Sequence, residues 1–137
     1  MNIVIKPPFV SIDLARERVR IAEVFWNTRD PDRVASTFTE DVHWRTRTEI
    51  VEGRRSVVAL LTRQWAREQE CKRQDELWTF CEDRITTLFQ SEWHDSSDHW
   101  FRSYGVELWE FAASGLIRRR EASVNDLPIK ASDRRLG

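Results

Sequence analysis

An α+β fold, with helices first and a run of antiparallel strands after them, is what this 137-residue sequence predicts. Three observations lead there. Apolar residues recur at helical spacing through the first half. The period changes to 2 after about residue 70. Short polar turns such as "CED" and "DSSD" then separate the strand-like runs, as hairpins require.

Residues 11–27, "SIDLARERVRIAEVFWN", fit an amphipathic helix with Ser11 as N-cap. Leu14, Ile21 and Phe25 make one apolar line, and Ala15, Val19, Ala22 and Trp26 its neighbour. Arg16, Glu17, Arg20 and Glu23 fall on the wet side. Asp30 caps a short second helix with Pro31 at its first position, where a missing N–H costs nothing, and Val34, Ala35 and Phe38 face inward. "VHWRTR", 42–47, reads as a short strand. Val57, Leu60, Leu61 and Trp65 place a third helix at about 53–68.

Four strands follow: "CKRQDELWTF", "RITTLFQSEWH", "HWFRSYGVELWEF" and "GLIRRREASV". The last thirteen residues, 125–137, read as an extended tail, because Pro128 and the charges oppose regular structure. Residues 1–10 read as an extended N-terminal segment, and the whole chain, 1–137, as one domain without repeat or linker.

With 40% hydrophobic and 33% charged residues, the composition is that of a globular chain and not a disordered one. Twenty-two basic against 23 acidic residues argue against a general nucleic-acid binder. No run is apolar enough to span a bilayer, and no signal peptide is recognisable, so a cytoplasmic protein without membrane partners is expected. Cys71 and Cys81 are expected to stay reduced.

The strings "WNTRDPDRVASTFTED", "WRTR", "EGRRSVVALLTRQWARE", "ELWTF", "WFRSYGVELWEF" and "RREASVNDLPI" cover roughly residues 10–130. In order and content they resemble the nuclear transport factor 2-like (SnoaL-like) superfamily, and within it a bacterial subfamily described only as a domain of unknown function. The resemblance implies three helices closing over a strongly curved antiparallel sheet, a cone with a pocket inside. The subfamily usually carries Tyr-Gly-Asn-Glu at 104–107, where this chain has Val106, and Tyr near 91, where it has Ser91. The superfamily holds isomerases, dehydratases, cyclases, hydrolases and non-catalytic domains, so function has to come from the site.

Alternation assigns faces. Ile85, Thr87, Phe89, Ser91 and Trp93 look at the helices, with Glu76, Trp78 and Phe80 beside them. Phe101, Ser103, Glu107, Trp109 and Phe111 are the inner face of the next strand. If Phe111 pairs with Ile117, then Arg119 and Glu121 also face in, with Glu121 across from Glu107 and Arg119 across from Trp109. Two facing carboxylates in a partly apolar cone cannot both ionise cheaply. An ion-paired network with Arg45, Arg47, Arg119 or Arg120 is the foremost reading. A ligand-orienting cluster and a catalytic acid–base pair are the others.

Trp26, Phe38, Trp44, Phe89 and Trp109 would be walls of a pocket, and Ser91, Ser103, Arg119, Glu107 and Glu121 its orienting groups. Trp26, Trp65 and Trp78 stand at core spacing, and packing is their foremost role. His94 and His99 belong to a solvated turn, and His43 points out of the cone if Trp44 points in, so neither a metal site nor a His–Asp dyad is expected. No cofactor motif and no activated nucleophile is present in the sequence.

Trp100, Arg102, Tyr104 and Leu108 make the outer sheet face apolar enough to suggest a homodimer. The expected activity is binding of a small, partly apolar molecule, extending to cofactor-free isomerase or dehydratase chemistry on Glu107 or Glu121. The alternative is a non-catalytic dimeric binding or scaffold module whose cone is filled by its own side chains.

Overall fold

The structure, a computed structural model, describes residues 5–137. Helices α1 (Ile12–Asn27) and α2 (Pro31–Ala35) lead into strands β1 (Phe38–Thr46) and β2 (Glu49–Glu52), and helix α3 (Arg54–Arg67) follows. Four long strands complete it: β3 (Gln69–Cys81), β4 (Arg84–His94), β5 (Trp100–Phe111) and β6 (Ile117–Ile129). They form one six-stranded sheet in the order β2-β1-β6-β5-β4-β3, antiparallel except where β1 runs parallel to β6. Helices on one face of a long sheet give the α+β cone expected from the sequence.

The helix starts follow from their caps. Ser11 accepts from the Leu14 N–H, and Asp30 accepts from the N–H groups of Asp32 and Arg33 ahead of Pro31. α1 buries Ala15, Val19, Ile21 and Trp26 as expected, but Leu14 is exposed and Arg18 is fully buried. The inward stripe is thus rotated so that Arg18 falls beneath Trp109 and Phe111. Val34, Ala35, Phe38, Val42 and Trp44 are buried in the same core.

Three strand expectations need correction. β1 starts at Phe38 instead of 42, and a short β2 pairs with it after a tight turn, Arg47 having a positive φ of 56°. The expected tail at 125–137 is strand as far as Ile129. Pro128 fits there because β1 ends opposite Ala122, which leaves the far side of β6 without a strand needing its N–H. Trp78 is 66% exposed, because β3 bulges between Leu77 and Thr79. The bulge splits the expected face: Phe80 pairs with the inward residue Ile85 as expected, but before the bulge Arg73, Asp75 and Leu77 pair with the inward residues Ser91, Phe89 and Thr87, while Glu76 pairs with Leu88 on the outer face.

Of the extended N-terminal segment expected at 1–10, residues 1–4 lie outside the described residues. Ile5 and Phe9 are buried, and the Phe9 N–H donates to the Glu82 carbonyl, which closes one end of the cone. Among the described residues no helix is long and apolar enough to cross a membrane. Cys71 and Cys81 are both free thiols.

Candidate functional site

Phe111 does pair with Ile117, but β6 then carries one extra residue at Arg118. Beyond it Glu110 faces Arg119, Trp109 faces Arg120, and Glu107 faces Ala122. A one-residue shift exchanges the faces of a strand. Arg120 therefore enters the cone, while Arg119 and Glu121 turn outward. This corrects the expected Glu107–Glu121 and Trp109–Arg119 pairings.

Glu121 accepts from Arg45 Nε at 2.8 Å on the outer face, and His43 Nε2 lies 3.0 Å from its other oxygen. Those neighbours hold its carboxyl below the ordinary range although burial opposes it. His43 and Trp44 lie on the faces expected for them.

Glu107 is the centre of the interior, at 2% exposure. Its Oε1 accepts from Arg120 Nε at 2.8 Å and from Trp109 Nε1 at 2.8 Å. Its Oε2 accepts from Arg73 Nη2 at 2.6 Å and from Arg120 Nη2. Burial opposes the charge on Glu107, but Arg120, Arg73 and these hydrogen bonds outweigh it and hold the carboxyl down to about 2. Glu107 is thus a fixed anion. Arg73 also donates to Asp75, at 2.7 Å from Nη2. Burial pushes the Asp75 carboxyl up against the pull of Arg73. Two arginines and two acids make a charge-balanced quartet, part of which was foreseen in the expected ion-paired network.

The quartet is built into a stack of rings. Arg73 lies over Phe89, 3.9 Å from the ring centre, and over Trp26 at 4.5 Å. Arg120 lies over Trp44 at 3.9 Å and over Trp26 at 5.3 Å. Trp26 and Trp44 are near parallel, with centres 6.4 Å apart. Each arginine touches two rings, so the contacts run from Phe89 through Arg73, Trp26 and Arg120 to Trp44. Gly105 admits the Phe89 end: a Cβ there would stand 2.0 Å from Phe89 Cε2. Asn27 fixes the helix to this stack, exchanging two hydrogen bonds with the Arg73 main chain.

Among the described residues, a cavity of about 20 Å³ lies at the mouth of the cone, space for about one water molecule. Trp26, Phe89, Ser91, Ser103, Glu68, Arg73 and Arg120 are on its lining. Of the expected wall residues, Phe38, Trp44 and Trp109 lie instead in the packed core. Ser103 is committed: it donates to Asp126 at 2.6 Å and accepts from Trp93 Nε1 at 2.9 Å. Arg47 Nη2 donates to Asp126 at 2.8 Å. Burial raises the Glu68 carboxyl, outweighing Arg67.

Sequence reasoning missed Arg73, Asp75 and Glu68, and it named Arg120 for an ion-paired network without placing it on the inner face. Arg73 and Asp75 share their alternation with Cys71 and Leu77, a signal that the apolar pair Trp78 and Phe80 outweighed. Glu68 stands at the end of α3, where the helical spacing gives out.

No curated protein matches the sequence at a significant level. Solved structures do. The epoxide hydrolase/cyclase-like enzyme SalBIII, of pyran ring formation in salinomycin, matches with a TM-score of 0.72 at 15% identity, over 82% of this chain and 92% of that one. An NTF2-like protein of unknown function from Burkholderia pseudomallei matches with 0.72 at 18% identity, over 81% and 90%. A protein of ketosteroid isomerase-like fold from Catenulispora acidiphila, in complex with trimethylamine, matches with 0.69 at 14% identity, over 77% and 83%. At such identities the likeness establishes the nuclear transport factor 2-like fold and no more. A family model matches residues 7–137, nearly the whole chain, and the protein belongs to that family, described as Protein of unknown function (DUF1348).

Proposed function

We propose that this protein is a non-catalytic module of the nuclear transport factor 2-like type, with its cone filled by its own side chains and its outer sheet face as the working surface. The observation that carries this is the cluster of Phe89, Trp26 and Trp44 around Arg73 and Arg120, clamped by Glu107, beside which the cavity measures about 20 Å³. A pocket for a small organic molecule is commonly some 300–1,000 Å³. A partly apolar ligand would have to displace Trp26 or an arginine whose charge is already paired.

The isomerase or dehydratase reading needs a carboxyl that exchanges protons near neutral pH. Glu107 is held far below that range, and Glu121 is outside the cone. The solved relatives include an enzyme, but its activity is not carried over by fold.

The working surface is the outer face of β3 to β6. Tyr104, Val106, Leu108 and Leu127 are exposed there, beside a cleft of about 630 Å³ lined in part by Gln74, Glu76, Leu88 and Gln90. Apolar residues grouped on one face favour a homodimer through it. Trp100 and Arg102, expected in that surface, are taken up by the chain's own C-terminal segment.

Two measurements test this. Indole N–H signals of Trp26, Trp44 and Trp109 are followed by NMR against a panel of small carbonyl compounds, and light scattering gives the solution mass. The proposal expects unmoved indoles and a dimer. Saturable shifts of those indoles would restore the ligand-binding reading, and a monomer at high concentration would remove the dimer.

A further inference from the structure

Residues 131–137 fold back over the outer sheet face after a tight turn in which the Asp133 N–H donates to the Lys130 carbonyl. They lie on a site with definite chemistry. Glu92 and Arg102 form a buried ion pair on β4 and β5, 2.7 Å apart. Glu92 accepts the main-chain N–H groups of Arg135, at 2.9 and 3.1 Å, and of Leu136, at 2.7 Å. Arg102 Nη2 donates to the Asp133 carbonyl at 2.6 Å. The Arg134 guanidinium lies 4.3 Å from the centre of the Trp100 ring. Arg135 reaches Gln90 at 3.1 Å and the Tyr104 hydroxyl at 3.3 Å.

These contacts have the form of extended-peptide recognition. The Glu92 and Arg102 side chains hold main-chain groups of the segment, and separate subsites for the successive side chains of Arg134 and Arg135 give the selectivity. The segment itself is exposed except for Leu136, so it adds little to the hydrophobic core. Clefts of about 460 and 420 Å³ flank it, which leaves room for it to leave and for another segment to enter. The basic residues Arg134 and Arg135 lie against a site containing the acids Glu70 and Glu92, while Lys72 in the same cleft donates to the Gly137 carbonyl.

We infer that the Glu92–Arg102–Trp100 groove is a receptor for an extended Arg-Arg-Leu segment, filled in cis here and open to exchange with the same segment of a second copy. A site that fits a segment of its own chain fits the identical segment of a neighbour, and only the tether differs. The groove opens on the same face as Tyr104, Val106 and Leu108, so the inference rests on the proposed meeting of two copies there.

Complementary full-length variants test it. R135P/L136P lacks both N–H donors but keeps the groove, and Glu92→Met keeps the segment but loses both accepting oxygens. If exchange occurs, the equimolar mixture associates at least about tenfold more tightly than either variant alone, measured by light scattering and fluorescence anisotropy. If the mixture behaves as the sum of its parts, the inference is overturned. A dimer formed by the sheet face alone would persist in each separate variant, so its loss and the loss of exchange are told apart.

Should Glu92→Met fail to fold, Trp100→Leu replaces it as the groove variant. A labelled peptide of residues 130–137 then gives a second reading. Binding to R135P/L136P but not to the same variant carrying Trp100→Leu supports the receptor. Equal binding, or none, overturns it.

Discussion

Arg73 and Arg120 reach the two oxygens of one carboxylate, that of Glu107, from strands β3 and β6 on opposite sides of β5. The relationship ties together strands far apart in the sheet order through one buried anion. Removing that anion leaves Arg120 buried without a carboxylate and Arg73 with Asp75 alone, a far larger loss than removing a surface pair.

Glu107→Gln is therefore expected to lower stability by about 3–5 kcal/mol, read from urea denaturation at pH 7. A loss below about 1 kcal/mol would mean that Asp75 and the aromatic faces hold the arginines unaided.

The pH dependence has a definite sign. The Glu107 carboxyl lies at about 2 when folded, against 4.5 without these contacts. A depressed acid stabilises above its unfolded value and loses that contribution as pH falls through the folded one. Wild type minus Glu107→Gln should be flat above about pH 5 and shrink by about 3 kcal/mol between pH 4.5 and 2. Asp75, raised by burial, acts in the opposite sense in both proteins, which is why the difference is the quantity to read.

Arg18 is fully buried, and none of its three nitrogens has a hydrogen-bond partner among the described residues. Burial pulls its guanidinium down to about 10. Replacement by an apolar residue of similar length removes an unpaired charge from the core. Arg18→Met is expected to gain about 1–4 kcal/mol in thermal unfolding. A loss would show that stacking on Trp109 and Phe111 outweighs the desolvation.

Arg120→Ala should open a space against the Trp44 ring and beside Trp26 sized for a planar cation. The variant is expected to lose about 3–5 kcal/mol and to recover part of it in millimolar methylguanidinium, by ligand linkage. Sodium at the same ionic strength should give no recovery, and equal recovery in both salts would dispose of the cage.

Gly105→Ala places a methyl group inside the Phe89 ring and is expected to lose about 1–3 kcal/mol. The double variant with Phe89→Leu should lose less than the sum of the two single changes. Trp78→Ser, at an exposed bulge, should change stability by less than about 0.5 kcal/mol, which denaturation of the same series would show.

Much of the frame was legible because its signals are local. Ser11, Asp30 and Pro31 mark helix starts by their own side chains, and Val57, Leu60 and Leu61 mark a face by spacing. The Phe111–Ile117 pairing followed from a short turn. The candidate site was legible only in part, because it depends on two bulges. Arg118 and Trp78 each displace a strand by one residue, and neither carries a glycine or proline that would announce it. Glu107 kept its face because no bulge interrupts the β4–β5 pairing. Arg120 and Glu121 exchanged places because one does interrupt β5–β6. Arg18 stayed hidden because charge at position 18 argued for solvent more strongly than its spacing from Ala15 and Ala22 argued for the core.

The parallel alignment of β1 with β6 has a consequence for the order of events as the chain is made. Trp44 leaves the ribosome long before Arg120, the cation that covers its ring. Until β6 arrives, β1 has only the short β2 beside it, and Glu107 has only Arg73 of its two arginines. The sheet can close only after nearly the whole chain has emerged, and contacts between such distant residues form slowly. The nascent chain thus passes through an interval in which an unpaired strand edge and open indole rings are available to chaperones, or to other unfinished chains.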